Sequence, residues 1–216
     1  MKPLAECRLY AFIDTTCLRE RDPALVARQL CDGGADLIQI RAKGASLDFI
    51  RRMVEVVQPV TRQAGVGLVI NDHPELALET GADYGHLGQE DFFDAGHTQV
   101  SQLWREAASP AKKPGIGLST HAPAEAQRAL AAGPDYIASG PVFPTATKPE
   151  AQPVTLEYVR WAAEHVTLPW FAIGGINASN LDTVLAAGAR GICIVSAILN
   201  APDPARACRE FRKRLG

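Results

Sequence analysis

No stretch of this chain approaches the roughly 18 consecutive apolar residues of a membrane-spanning helix, so a membrane protein is not expected. Met1 to Arg8 carries Glu6 and no hydrophobic signal core, which leaves the cytoplasm as the expected compartment. Excess charge is also missing. A formal net charge of −2 excludes a broad nucleic-acid surface and confines any anion site to a local cluster. Cys7, Cys17, Cys31, Cys193 and Cys208 are scattered, odd in number and form no CxxC pair, against both a zinc site and a disulfide framework. They read as small buried hydrophobes in a reducing compartment. His73, His86, His97 and His165 show no HxH or HExxH spacing, so zinc is not expected from histidine either.

What the chain does have is alternation. Its 216 residues, 47% hydrophobic and 21% charged, suit one globular domain spanning 1–216. Short apolar runs occur at Leu9–Ile13, Leu37–Ile40, Gly67–Ile70, Tyr84–Leu87, Ile116–Leu118, Tyr136–Ala138, Trp170–Ile173 and Ile192–Val195. Each has the length of a strand and the near-continuous apolar character of one buried on both faces. Helical patterns lie between them, the clearest placing Phe49, Met53, Val56, Val57 and Val60 on one face. Asp22-Pro23 and Asp203-Pro204 predict helix starts, and Ser179 with Asp182 approximates a capping box. A glycine that closes a helix, then a small residue, then a strand recurs at Gly34, Gly81, Gly133 and Gly188. The spacing is roughly fifty residues, about two strand–helix units, so four copies imply eight strands. A doubly wound open sheet would want a glycine-rich loop after its first strand, and Asp14-Thr15-Thr16 is not one. The expected fold is therefore α/β, a single (β/α)8 TIM barrel.

A barrel gathers its chemistry just after each strand, at the C-terminal face. In strand two Gln39, Arg41 and Lys43 alternate, so one side of the strand carries all three towards the mouth. Strand three ends in Asn71-Asp72, strand four runs into Gly88-Gln89-Glu90-Asp91, and strand five into Ser119-Thr120-His121. The loop after strand six, Gly140 to Pro153, holds Thr145, Thr147 and Lys148. Asp72 and Asp91 are hard oxygen ligands on neighbouring loops, a pair suited to Mg²⁺ shared with a diphosphate. Arg41, Lys43 and Lys148 suit diphosphate oxygens and the charge of a leaving group. Gly175 and Val195-Ser196 fall after strands seven and eight, where barrels bind a phosphate on backbone N–H groups. Each also admits a structural role: an ion pair with Asp72 or Asp91, a tight turn at Gly174-Gly175, a helix cap at Ser119 or Thr120, a packed or capping imidazole at His121. Convergence on one barrel face favours the chemical reading.

The motifs Gln39-Ile40-Arg41-Ala42-Lys43, Asn71-Asp72, His86 to Asp91, Gly117 to His121, Gly140 to Lys148, Ala172 to Ile176 and Val195 to Ile198 appear in order along nearly the whole chain. Together they closely resemble the thiamine phosphate synthase family and its sister, the thiazole tautomerase. The resemblance implies a transferase that joins hydroxymethylpyrimidine diphosphate to a thiazole phosphate, with diphosphate leaving first and the thiazole nitrogen capturing a pyrimidine-stabilised cation. It implies Mg²⁺ on Asp72 and Asp91, and the pyrimidine diphosphate on Gln39 to Lys43 (Ile40 and Ala42 included), Asn71 and Lys148. Ser119 would lie against the pyrimidine, and Thr145, Ala146, Thr147, Gly175, Val195 and Ser196 would hold the thiazole phosphate. Arg41, Lys43, Ser119 and Lys148 would then be the catalytic set. Partners would be these small molecules, with neither nucleic acid nor membrane; a homo-oligomer remains compatible. The chain departs from the family at Ala42, usually Glu, at His73, usually Arg, and after Lys148, where a glycine is absent. Two other readings stay open: the tautomerase, for which His121 would be catalytic, and a non-catalytic phosphate-binding regulator. Intact Gln89-Glu90-Asp91 and Thr147-Lys148 favour the synthase.

Overall fold

A computed structural model describes residues 1–104, 113–145 and 152–216. Eight parallel strands close into a barrel in sequence order: β1 (Leu9–Asp14), β2 (Leu37–Arg41), β3 (Gly67–Asn71), β4 (Tyr84–Leu87), β5 (Gly115–Thr120), β6 (Tyr136–Ser139), β7 (Trp170–Ala172) and β8 (Gly191–Ile194). The barrel expected from the alternation is therefore the one found. Around it lie α1 (Thr15–Leu18), α2 (Pro23–Asp32), α3 (Leu47–Ala64), α4 (Pro74–Thr80), α5 (Pro123–Ala131), α6 (Thr155–His165), α7 (Leu181–Ala186), α8 (Ser196–Leu199) and α9 (Pro204–Leu215). No described helix is long and apolar enough to cross a membrane. All five cysteines are free thiols.

Period-2 alternation explains why the strands read as continuous apolar runs. Leu9, Ala11 and Ile13 of β1 pack outward with Ile38 and Ile40 of β2 against the helices. Tyr10 and Phe12 point inward, where they meet Leu37, Val69, Tyr136, Phe171 and Cys193 in the barrel interior. The interior tolerates these rings because facing positions are small. A Cβ at Gly117 would lie 2.1 Å from Tyr136 Cζ, so only glycine lets that tyrosine cross. Strand ends run further than the apolar runs predict. Asp14, Arg41 and Asn71 belong to β1, β2 and β3, and Ser119-Thr120 to β5, so part of the polar rim is held by sheet hydrogen bonds.

The repeated glycines do occupy left-handed backbone: φ is 86° at Gly34, 66° at Gly81, 74° at Gly133 and 103° at Gly188. The aspartate two residues on, in the first three copies, has its own task. Asp36 Oδ2 accepts from the N–H groups of Arg8 (2.8 Å) and Leu9 (3.1 Å), Asp83 Oδ2 from Leu68 (3.0 Å), and Asp135 Oδ2 from Ile116 (2.7 Å). Each carboxylate thus caps the start of the preceding strand at the barrel's N-terminal face. The fourth copy has Arg190 at that position.

Two local expectations need correcting. On α3 the buried side chains are Ile50, Met53, Val54, Val57 and Thr61, while Phe49 and Val56 are exposed. The stripe starts one residue later than the apolar pattern suggests. Thr61 can belong to it because its hydroxyl donates to Gln58 O within the helix. The capping box at Ser179 does not form, since α7 starts after Asn180 without a side-chain cap. Ser179 instead donates through both its N–H and its hydroxyl to Asn177 Oδ1. The aspartate caps at Asp22 and Asp203 form as expected, accepting from Ala24 and Arg206 N–H groups.

Candidate active site

A cavity of ≈ 370 Å³ opens at the C-terminal mouth of the barrel. Of the residues picked out in the sequence, Gln39, Arg41, Lys43, Asn71, Asp72, Asp91, Ser119, Thr145, Gly175, Val195 and Ser196 line it. The alternation that turns Gln39 and Arg41 inward turns Ile40 and Ala42 into the helix-facing core. Their side chains therefore do not reach the cavity, and neither residue lines it. Ala146, Thr147 and Lys148 lie outside the described residues.

Arg41 is held by a residue that the sequence reading passed over. Register pairs Asp14 with Arg41 across β1 and β2. Asp14 Oδ2 lies 2.6 Å from Arg41 Nη1, while its Oδ1 accepts from the Thr16 N–H and hydroxyl. Asp14 is only 1% exposed, so it is a buried carboxylate with every oxygen engaged. Such a pair aims the guanidinium, and losing one partner would leave an uncompensated buried charge.

Asp72 sits at φ 62°, a left-handed conformation that aspartate tolerates better than most residues. Its N–H donates to His86 O at 2.8 Å, which fixes the carboxylate at the rim. Lys43 Nζ lies 3.6 Å from Asp72 Oδ2. Burial raises the Asp72 pKa above the ordinary carboxylate value, and repulsion from Asp91 adds to the rise, with Lys43 and Arg41 opposing it. Asp91 projects from the turn of helix Glu90–Asp94 after β4, and a Cβ at Gly88 would come within 2.8 Å of its Oδ2. Two mutually repelling carboxylates on one cavity wall fit a hard cation. Among the described residues no group of three or more His, Cys, Asp or Glu is arranged to cage a metal. A cation resting on Asp72 and Asp91 would therefore draw further ligands from water or substrate, the habit of Mg²⁺.

On the opposite wall, Gly174 (φ 101°) and Gly175 (φ 64°) allow the loop after β6 to press against the loop after β7. A Cβ would lie 2.4 Å from Pro141 Cα in the first case and 2.6 Å from Pro144 O in the second. Asn177 and Asn180 both donate to Gly175 O, which stiffens the turn. Val195 is the N-cap of α8 and Ser196 its first residue, and both share the cavity lining with this glycine turn.

Polar side chains across the cavity floor are linked. Gln39 Nε2 donates to Tyr10 Oη (2.6 Å), Tyr10 and Tyr136 hydroxyls are 3.0 Å apart, Tyr136 Oη is 3.1 Å from His86 Nδ1, and His86 Nε2 is 2.9 Å from Ser119 Oγ. Burial depresses the His86 pKa to about 4, so the ring is neutral near pH 7. Gln89 Nε2 donates to Ser119 O, and its Oε1 accepts from Arg128, whose guanidinium lies 4.1 Å over the Phe93 ring. His121 is tied to Glu125, whose Oε2 accepts its N–H and meets its Nδ1 at 2.9 Å. The imidazole caps no helix N–H, since α5 has Ala122 at its N-cap and no side-chain cap; it is held by Glu125 at the edge of the same cavity.

Known proteins resemble this chain along most of its length. The family model for thiamine monophosphate synthase matches residues 9–198. A protein named thiamine-phosphate synthase from Thermus thermophilus is 46% identical over 184 residues, covering 85% of this chain and 84% of its own. Another of that name from Herpetosiphon aurantiacus is 40% identical over 205 residues, 94% of each chain. A solved structure named thiamine phosphate pyrophosphorylase from Pyrococcus furiosus superposes with TM-score 0.85 at 31% identity, over 99% of this chain and 98% of its own.

Proposed function

The chain belongs to the thiamine monophosphate synthase family, and on that premise we propose how its barrel mouth carries out the family's reaction. The activity is that of a transferase of thiamine biosynthesis, joining hydroxymethylpyrimidine diphosphate to thiazole phosphate and releasing diphosphate. The name carried by its relatives decides between the synthase and the tautomerase in favour of the synthase.

The bond from the pyrimidine's exocyclic carbon to the diphosphate oxygen breaks, and its electron pair leaves with the diphosphate. The thiazole nitrogen then gives its lone pair to the carbon, forming the new C–N bond. Such a reaction needs charge neutralised on the leaving group and two substrates held in line. Arg41, aimed by Asp14, and Lys43 bind the diphosphate, with Lys148 and Asn71 completing its cradle. Asp72 and Asp91 would hold Mg²⁺, which when bound supplies further positive charge to the diphosphate oxygens. Ser119 and Gln39 orient the pyrimidine. Backbone N–H groups at Gly175, Val195 and Ser196, with Thr145, Ala146 and Thr147, bind the thiazole phosphate. No protein base is required, so His121 can remain on Glu125. This reading treats 1–216 as one catalytic unit, in a cytoplasm that keeps the five thiols reduced.

The observation that carries this division of labour is the arrangement of one cavity. Arg41, Lys43, Asp72 and Asp91 form one wall, and the glycine turn after β7 with the start of α8 forms the other. Incubation with both substrates and Mg²⁺ is expected to release diphosphate and thiamine phosphate in equal amounts. Chelation with EDTA is expected to stop both, and full turnover after chelation would remove the metal from the site.

A further inference from the structure

We propose that His86 is a positioning residue: a one-way chain of hydrogen bonds from Gln39 holds it as the Nε2–H tautomer, making Ser119 a donor and Gln39 Oε1 an acceptor for the pyrimidine. The proposal rests on the reading above that Ser119 and Gln39 face the pyrimidine. It adds the proton order that tells the two residues what to present.

The order follows from the donor inventory. Gln39 Nε2 can only donate, so Tyr10 Oη accepts from it at 2.6 Å and gives its own hydrogen to Tyr136. Tyr136 then donates to His86 Nδ1, which must be the bare nitrogen of a neutral ring. The single ring hydrogen is left on Nε2, 2.9 Å from Ser119 Oγ. Ser119 Oγ is thereby an acceptor within the protein. Among the described residues it has no other side-chain partner, so its hydroxyl hydrogen is left for the cavity that it lines.

The four linked side chains of Gln39, Tyr10, Tyr136 and His86 are 2%, 1%, 0% and 7% exposed. Water therefore has little access to scramble the order, and low local dielectric strengthens each bond. The chain runs through β2, β1, β6 and β4 to β5, so its two ends lie on separated parts of the barrel wall. A 4-aminopyrimidine offers a matching pair on opposite sides of its ring: an amino group that donates and, across the ring, a nitrogen that accepts. Gln39 Oε1 suits the first and the Ser119 hydroxyl the second. A pyrimidine with an oxygen in place of the amino group would set acceptor against acceptor, so the same chain selects against it.

The tautomer can be observed directly in the whole protein. Long-range ¹⁵N–¹H spectra of protein labelled at histidine separate a bare ring nitrogen from a protonated one, and His86→Gln assigns the signal. The expected result is bare Nδ1 and protonated Nε2; a hydrogen on Nδ1 would mean that the chain runs the other way and would overturn the proposal. Tyr136→Phe keeps the ring and removes one link. It is expected to release the fixed tautomer and to raise KM for hydroxymethylpyrimidine diphosphate about tenfold, the factor of one net hydrogen bond, with KM for thiazole phosphate unchanged. Ser119→Ala separates the two layers of the argument. If it leaves the pyrimidine KM unchanged, the placement of the pyrimidine fails. If it raises that KM while Tyr136→Phe does not, the placement stands and the chain fails. Should Tyr136→Phe not fold, the spectrum of the unaltered protein still decides.

Discussion

Removing the Asp36 carboxylate should cost this barrel more stability than removing either of its counterparts in the repeated motif. Asp36 accepts two backbone N–H groups, from Arg8 and Leu9, and also pairs with Lys2 (2.7 Å) and Arg212 (3.2 Å). Asp83 and Asp135 each accept one strand N–H, from Leu68 and Ile116. Leaving a buried N–H without an acceptor costs about 1–3 kcal/mol. The Lys2 ammonium is half exposed and adds little, because water replaces its partner. Asp36→Ala is therefore expected to lose about 4 kcal/mol, Asp83→Ala about 2 kcal/mol, and Asp135→Ala, whose exposed carboxylate water can replace, about 1 kcal/mol. The assay is urea unfolding followed by circular dichroism at pH 7, with turnover measured on the folded fraction. Turnover per folded molecule should stay unchanged, since the three residues sit at the N-terminal face and the cavity at the other. Burial alone would raise the Asp36 pKa, but Lys2, the two N–H groups and Arg212 outweigh it and hold the carboxyl below its usual value. A depressed carboxyl contributes stability above its unfolded pKa and loses it as pH falls through the folded one. The gap between unaltered protein and Asp36→Ala should accordingly close in acid. Equal losses for all three variants, or a gap that widens in acid, would refute the reasoning.

Asp14→Asn should lower kcat/KM for the pyrimidine diphosphate at least tenfold and destabilise the fold by about 3 kcal/mol, because it breaks a buried pair from one side; steady-state kinetics and urea unfolding check both. Lys148→Ala should slow coupling strongly while shifting stability by less than about 0.5 kcal/mol, and near-normal turnover with a collapsed melting temperature would reverse its assignment to the diphosphate. The raised Asp72 pKa predicts that Mg²⁺ affinity, measured by calorimetry on the substrate-free protein, weakens as pH falls through that value, starting at higher pH than an ordinary aspartate would give. An affinity flat down to pH 4 would exclude Asp72 as a ligand.

The barrel was legible because its strands are buried on both faces, which makes each one a nearly unbroken apolar run between helical segments. The mouth was legible for the opposite reason. Arg41 and Lys43 on the inward parity of an apolar strand have no place in a packed core, so they announce a solvent-filled end. What stayed hidden depends on closure. Tyr10 and Tyr136 are separated by 126 positions and His86 and Tyr136 by 50, and only joining β8 to β1 brings them into one interior layer. Asp14 was hidden in the same way, since its meaning comes from the register that sets it beside Arg41.

Two other misses arose inside motifs that had been noticed. The glycine of each Gly-small-Asp copy was read as a helix stop, and the aspartate beside it was passed over. Yet Asp36, Asp83 and Asp135 all cap the start of the preceding strand. On α3, Thr61 does not read as an inner-face residue until its hydroxyl is seen to donate to Gln58 O. Asp36 and Thr61 are polar side chains buried because they satisfy backbone groups, a role that hydropathy scores as surface. The same blindness covers His86. Its neighbours in sequence, Gly85 and Leu87, say only that it lies in a strand. Its inward parity, shared with Tyr10, Gln39, Tyr136 and Ser119, was the available signal. Five hydrogen-bonding side chains of one parity inside a barrel cannot all be left unpaired, so they had to be linked to each other.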